Sequence, residues 1–330
     1  MAVSSMVFGT WAILIMAISS TAAGAAPLST GGGQFVTREL STEHGVRRYK
    51  LFIPSSYDGS KALPLVVMLH GCTQDPDDIA RGTRLNGAAE EKSVLVAYPE
   101  QPDSANPRKC WNWYDAAHQR RDAGEPALIA AITRQVIADY RVDVNRVYVA
   151  GISAGAAMAI AVGLSYPDLY AAVGSHSGIA YGAATSVTEA LSAMQGQARD
   201  PIVLASNAKS AMGPRARAIP AIVFQGESDR VVNPANGAQL VAQLAAVRRT
   251  GAYNNGANIT EKGETKDGYH YIRTRQDDST IEFWLIQELG HAWSGGSTDG
   301  TFTDSRGPNA TAEMLRFFLE HPRSAEETRK

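Results

Sequence analysis

The sequence is short of several things, and each shortage narrows what it can be. It holds two cysteines, Cys72 and Cys110. Neither a cysteine-rich zinc module nor a scaffold stapled by several disulfides is open to it. It has no cluster of lysine and arginine. Its 31 basic and 33 acidic residues leave a formal net charge of −2 and a pI near 6.4, which argues against nucleic acid and anionic membranes as partners. After residue 18 no apolar run is long enough to span a bilayer. There is no internal repeat and no linker rich in proline, threonine or serine. What remains is an ordinary globular balance of 44% apolar and 19% charged residues. The 330 residues suffice for one large domain or two small ones.

Positive charge is missing from the N-terminus as well, since the first basic side chain is Arg38. Residues 6–18 are nonetheless apolar, small residues follow, and Ala23-Gly24-Ala25 fits an A-x-A cleavage site. We expect a signal peptide over 1–25, a flexible leader over 26–34, a single domain over 35–322 and a polar tail over 323–330. The mature protein is then secreted, outside the cell or in the periplasm, with no membrane span left. In an exported chain the even pair of cysteines points to one disulfide; two free buried thiols are the alternative.

Along the chain, 35–40 and 46–53 read as an antiparallel pair. Leu63–Leu69 is a near-continuous apolar strand, the mark of a sheet covered on both faces. A helix is expected over 77–91 and a strand over 94–98. A long polar loop over 101–124 carries Cys110-Trp111-Asn112-Trp113-Tyr114. Apolar residues at helical spacing follow Pro126. Further strands are expected at 171–173, 221–225 and Ile281–Ile286, with a hairpin or edge strand within 254–278. Helices are expected at 234–248 and 310–321. Residues 182–211 read as an insertion of low hydrophobicity, helical around Val187–Met194. Strands alternating with helices predict an α/β fold with a mostly parallel sheet and helices on both faces.

The most informative stretch lies in the middle. Val147, Tyr148 and Val149 are β-formers, Gly151-Ile152-Ser153-Ala154-Gly155 matches G-x-S-x-G, and an alanine-rich helix follows. By itself the pattern is within reach of chance in a chain with 30 glycines. Its setting of strand, sharp turn and helix is that of a nucleophile elbow. The glycines permit the turn, and the helix start aims N–H groups at the serine.

A serine needs a base to take its proton and a carboxylate to orient that base. Asp229, in Gly-Glu-Ser-Asp-Arg-Val-Val, and His291, in Leu-Gly-His-Ala-Trp-Ser, each follow an expected strand, in the order Ser, Asp, His of α/β-hydrolases. Glu227 rivals Asp229 as the acid. His44, His118, His176, His270 and His321 are less suitably placed as bases. Two oxyanion donors are also required, and the N–H groups of Cys72, after His70-Gly71, and Ala154 are the candidates. A Cys72–Cys110 disulfide would pin the first and tie down the aromatic loop, a closure worth roughly 3–4 kcal/mol in the chain-entropy model. Trp111, Trp113, Tyr114 and Trp293 lie nearest these motifs and are candidate substrate contacts, with ordinary packing the alternative.

Seven segments, Leu69–Gln74, Tyr98–Gln101, Cys110–Tyr114, Gly124–Ile129, Arg146–Gly155, Tyr166–Gly174 and Gly290–Gly296, together resemble the poly(3-hydroxybutyrate) depolymerase family of esterases. The resemblance runs from about Tyr49 to Phe318. It implies an α/β-hydrolase fold, with antiparallel N-terminal strands, and a triad of Ser153, Asp229 and His291. It also implies oxyanion donors at Cys72 and Ala154, and the Cys72–Cys110 bridge. The implied substrate is a short-chain polyhydroxyalkanoate or its oligomers, with no metal or organic cofactor. A feruloyl or acetylxylan esterase is the nearest alternative, and a non-catalytic binding protein on the same scaffold a distant one. Oligomeric state is not legible in the sequence.

Overall fold

A computed structural model describes residues 32–197, 199–248, 258–266, 268–276 and 280–324. The expected signal peptide, most of the leader and most of the polar tail lie outside the described residues. Two antiparallel strands come first, β1 (Gln34–Thr42) and β2 (Gly45–Ile53). Six strands then run parallel: β3 (Leu63–Leu69), β4 (Leu95–Pro99), β5 (Val142–Ile152), β6 (Ala172–His176), β7 (Ala221–Gly226) and β10 (Ile281–Ile286). A hairpin of β8 (Asn258–Glu264) and β9 (His270–Gln276) closes the far edge. Among the described residues the order is β1-β2-β4-β3-β5-β6-β7-β10-β9-β8. The chain therefore leaves β3 in one direction for β4 and returns on its other side as β5. That reversal opens a crevice at the carboxyl ends of β3 and β5, where sites form in sheets of this kind.

Strand alternation sorts the central side chains into two cores. Val147 and Val149 of β5 pack on one face with Leu65 and Val67 of β3, while Tyr148 and Ala150 pack on the other with Val66 and Met68. Of the helices, α3 (Gly124–Asp139), α4 (Ala154–Ser165) and α7 (Ala235–Arg248) contribute to the first core. Helix α8 (Ala310–Glu320) covers the second, with Phe318 stacked on Tyr148 at 4.8 Å. Every residue of α4 is buried, which accounts for its run of small side chains between sheet and outer helices.

Three expectations need correction. The helix over 77–91 is two helices, α1 (Pro76–Thr83) and α2 (Leu85–Lys92), broken at Arg84 in the left-handed region (φ 55°). Tertiary bonds have claimed the carbonyls at the break: the Ser297 N–H donates to Gly82 O (2.7 Å) and the Thr311 hydroxyl to Thr83 O (2.6 Å). Strand β6 reaches His176 rather than ending at 173, so that histidine is interior. The 182–211 insertion holds not only α5 (Val187–Met194), as expected, but also α6 (Pro201–Met212). The signals for α6 were present: Asp200 caps Ile202 N–H (2.8 Å) and Pro201 opens the helix.

One buried carboxylate ties the far edge together. Glu282 of β10 accepts bonds from Arg273 of β9 (3.0 Å), Arg316 of α8 (2.7 Å) and Trp284 (2.7 Å). Burial pushes its pKa up, but these donors outweigh that and hold it below the usual range. Glu282→Ala leaves two guanidinium groups without their shared partner. We expect a loss of about 3 kcal/mol, the low end for a broken buried pair, because both arginines keep some solvent. A thermal melt at neutral pH that matches wild type would refute this cross-tie.

Candidate active site

Ser153 stands at the turn between β5 and α4 with φ 56° and ψ −123°, a region that side chains rarely enter. The strain is held from both sides. A Cβ on Gly151 would lie 2.4 Å from the Gly155 carbonyl carbon, and one on Gly155 would lie 2.3 Å from Leu69 O and 2.4 Å from His70 O. Only glycine lets the start of α4 settle this close to the end of β3. The Ser153 N–H donates to His176 O (2.9 Å), and Ser153 O accepts from Ala157 N–H (3.0 Å).

The carboxyl ends of β7 and β10 bring up the other two candidates. Gly226 packs against the Leu289 and Gly290 carbonyls, and the Ser228 N–H donates to Leu289 O (3.0 Å), so the two loops form one unit. Asp229 is buried. Its Oδ1 accepts from the N–H groups of Val231 (2.9 Å) and Val232 (2.8 Å), and its Oδ2 from His291 Nδ1 (2.8 Å). Burial raises its pKa, but the His291 contact and the two amides prevail and keep it below the usual carboxylate value. Glu227, the rival acid, is exposed. With Nδ1 committed to Asp229, His291 offers Nε2 to the cavity that both it and Ser153 line.

The third wall is the turn after β3. His70 is fully buried; its Nε2 accepts from Gln101 N–H (3.0 Å), so Nδ1 carries the proton and donates to Gly71 O (2.8 Å). Burial lowers its pKa to about 4. The Gln74 side chain accepts the Gly71 N–H (2.8 Å), and the Trp111 indole donates to His70 O (3.1 Å). Cys72 is bridged to Cys110, 38 residues on, and the Thr73 N–H donates to Arg108 O (2.7 Å). The Cys72 N–H has no acceptor among the described residues, and the Ala154 N–H opens α4, where helical amides lack intrahelical partners. Both are available to an oxyanion. Behind the aromatic loop, buried Glu125 accepts from Asn112 N–H (2.7 Å) as well as from the side chains of Gln101 (2.5 Å) and Asn112 (2.6 Å).

His176 takes a role the sequence did not reveal. Its Nε2 accepts the Ser294 N–H (3.0 Å), its ring stacks on Trp293 at 5.1 Å, and its carbonyl holds the Ser153 N–H. It thus spans the serine and the loop that carries His291. Burial pushes its pKa down to about 3. His44, His118, His270 and His321 lie on other elements and do not line the cavity.

The cavity is about 480 Å³. Of the four aromatics expected to contact substrate, Trp113 and Tyr114 line it, whereas Trp111 and Trp293 do not. Both are buried, with their indole N–H groups spent on His70 O and on the Thr311 hydroxyl (3.0 Å). Further apolar residues line it, among them Leu191 and Met194 of α5, Val231 beside Asp229, and Phe302. The α5 face was detectable from the spacing of Val187, Leu191 and Met194. Phe302 was not, because its loop is placed by bonds of Thr301 to Gln74 and Asp78, over 200 residues away. Among the described residues no group of three His, Cys, Asp or Glu side chains could hold a metal ion, and no helix is long and apolar enough to cross a membrane.

The family described as Esterase PHB depolymerase matches residues 47–269. Poly(3-hydroxyalkanoate) depolymerase C of Paucimonas lemoignei is 29% identical over 69% of this chain and 54% of its own length. Feruloyl esterase B of Neurospora crassa is 33% identical over 45% of this chain and 49% of its own. The chain thus spans about half the length of these curated relatives. Among solved structures, an acetyl xylan esterase from Aspergillus awamori superposes with a TM-score of 0.67 at 22% identity, over 78% of this chain and 94% of that one. The fold is that of the α/β-hydrolases.

The buried histidines make a pH prediction. In the unfolded chain both titrate near the ordinary value of about 6.5; folded, they stay neutral until about 4 for His70 and about 3 for His176. The unfolded state therefore binds more protons below 6.5. Stability is fully present above that pH and falls progressively towards 4 and then 3. Asp229, with its lowered value, adds to the loss at the acid end. Urea unfolding between pH 7 and 4.5 should show falling free energy, with proton uptake from the two rings approaching two near pH 5. A flat profile would contradict their burial as neutral rings.

Proposed function

Because the chain belongs to the Esterase PHB depolymerase family, we propose that it is an exported serine hydrolase that cleaves short-chain polyhydroxyalkanoate esters, polymer or oligomer, through an acyl-enzyme. The observation that carries the reading is the His291–Asp229 bond of 2.8 Å at the rim of the cavity that also contains Ser153. In this reading His291 Nε2 takes the Ser153 proton as Oγ attacks the ester carbonyl. The charge that forms on the imidazole is stabilised by the Asp229 carboxylate, which two backbone amides hold ionised and in place. The carbonyl oxygen, now negative, is bound by the N–H groups of Cys72 and Ala154, and the bridge to Cys110 keeps the first of these rigid. His291 then protonates the departing alkoxide. Water, deprotonated by the same nitrogen, releases the acid and restores the serine. The required chemistry is complete without a metal or organic cofactor.

The polyester reading rests on the character of the walls. Trp113, Leu191, Met194, Val231 and Phe302 offer hydrocarbon and few hydrogen-bond partners. That suits an aliphatic ester backbone better than a polysaccharide whose many hydroxyls would be stripped of water without replacement. A cell-wall esterase is the second reading, favoured by the sequence match to feruloyl esterase B.

Ser153→Ala should reduce turnover of a short p-nitrophenyl ester by at least ~10³-fold with the circular dichroism spectrum unchanged, and should abolish labelling by a fluorophosphonate. Residual activity near wild type would refute the mechanism. Clearing of a polyhydroxybutyrate film, compared with release of ferulate from methyl ferulate, separates the two substrate readings; activity on the second alone would favour the cell-wall esterase.

A further inference from the structure

The cavity beside Ser153 carries charge of one sign. Arg108 lines it, His291 is the other side chain there that can become positive, and no aspartate or glutamate is among the lining residues. Several arginines elsewhere in the fold have carboxylate partners: Arg121 has Asp168, Arg146 has Asp143 and Arg306 has Asp304. The Arg108 guanidinium has no ion pair and no hydrogen bond among the described residues. Its backbone, by contrast, is fixed to the catalytic wall. Arg108 O accepts the Thr73 N–H (2.7 Å), its N–H donates to Asn106 Oδ1 (3.0 Å), and Cys110, two residues on, is bridged to Cys72. A free cation is thus anchored one residue from a candidate oxyanion donor, at the edge of an otherwise apolar cavity.

We propose that Arg108 is a carboxylate-binding subsite, and that the preferred substrates are short ester oligomers ending in a free carboxylate. The inference rests on the esterase reading and narrows it. A planar carboxylate matches the fork of a guanidinium. The hydrocarbon between the ester and that terminus lies against Trp113, Leu191 and Phe302. Neutral chains, such as the interior of a polymer or an acetylated sugar, leave the guanidinium unmatched and gain nothing from it. The site then favours cleavage near the acid end of a chain over cleavage in its interior. Because Arg108 is exposed, water and salt weaken the attraction, so discrimination of about tenfold is expected rather than several orders of magnitude.

The test compares the 3-hydroxybutyrate dimer as free acid and as methyl ester, at neutral pH and low salt. Wild type, Arg108→Gln and Arg108→Lys are measured, and the readout is the ratio of kcat/KM for acid over methyl ester within each protein. That ratio is insensitive to how much active enzyme each preparation holds. We expect a ratio of about ten for wild type, expressed mainly in KM and falling with added salt. We expect a ratio near one for Arg108→Gln and an intermediate value for Arg108→Lys. A wild-type ratio near one, or a ratio that survives Arg108→Gln, overturns the subsite while leaving the esterase reading intact. Wild-type failure on both dimers and on p-nitrophenyl butyrate overturns the esterase reading, and the subsite with it.

Discussion

The structure depends on one close approach, that of the first turn of α4 to the end of β3. Gly151 and Gly155 leave no room for a side chain between them and the carbonyls of Leu69 and His70. That contact holds Ser153 in a backbone conformation it would not adopt alone. It also sets the Ala154 amide beside the turn that carries Cys72, so the candidate nucleophile and both candidate oxyanion donors are fixed by one packing constraint. The reversal of strand order between β3 and β5 is what makes these two carboxyl ends neighbours.

Around this contact the chain places buried polar groups that join segments distant in sequence. His70 and His176 are kept neutral by burial and act as connectors rather than as bases. The first joins the turn that carries Cys72 to the backbone after β4. The second joins the serine to the loop that follows His291. Glu125 does the same for the aromatic loop through Asn112 and Gln101. Each is a desolvated group whose partners come from distant segments, so each is stable only when those segments are in register. The result is a floor of polar connectors beneath a largely apolar cavity, in which Arg108 is the one lining arginine, lysine, aspartate or glutamate among the described residues.

Much of this was legible beforehand because its determinants are local. Strand, tight turn and alanine-rich helix around Ser153 follow from β-propensity, glycine and helix propensity within about twenty residues. Asp229 and His291 could be chosen because each follows an apolar strand and the chain order fits. The two cysteines left a single possible pairing. The misassignments came where tertiary partners override local preference. The helix expected over 77–91 breaks because Ser297 and Thr311 take its carbonyls. Trp111 and Trp293 were candidate contacts by proximity in sequence, yet their indole N–H groups are spent inside the core.

The sequence by itself determined the fold class, the elbow, the order of the candidate triad and the cysteine pair, since each is written in periodicity, composition or a short motif. Only the tertiary structure decided which acid meets His291, which aromatics face the cavity, and that His176 links Ser153 to the loop that follows His291. It alone brought Phe302, Leu191 and Arg108 to one opening. These are matters of side chains from segments far apart in the chain meeting in space. Their contacts are set by how the sheet orders its strands, and no local pattern records that order.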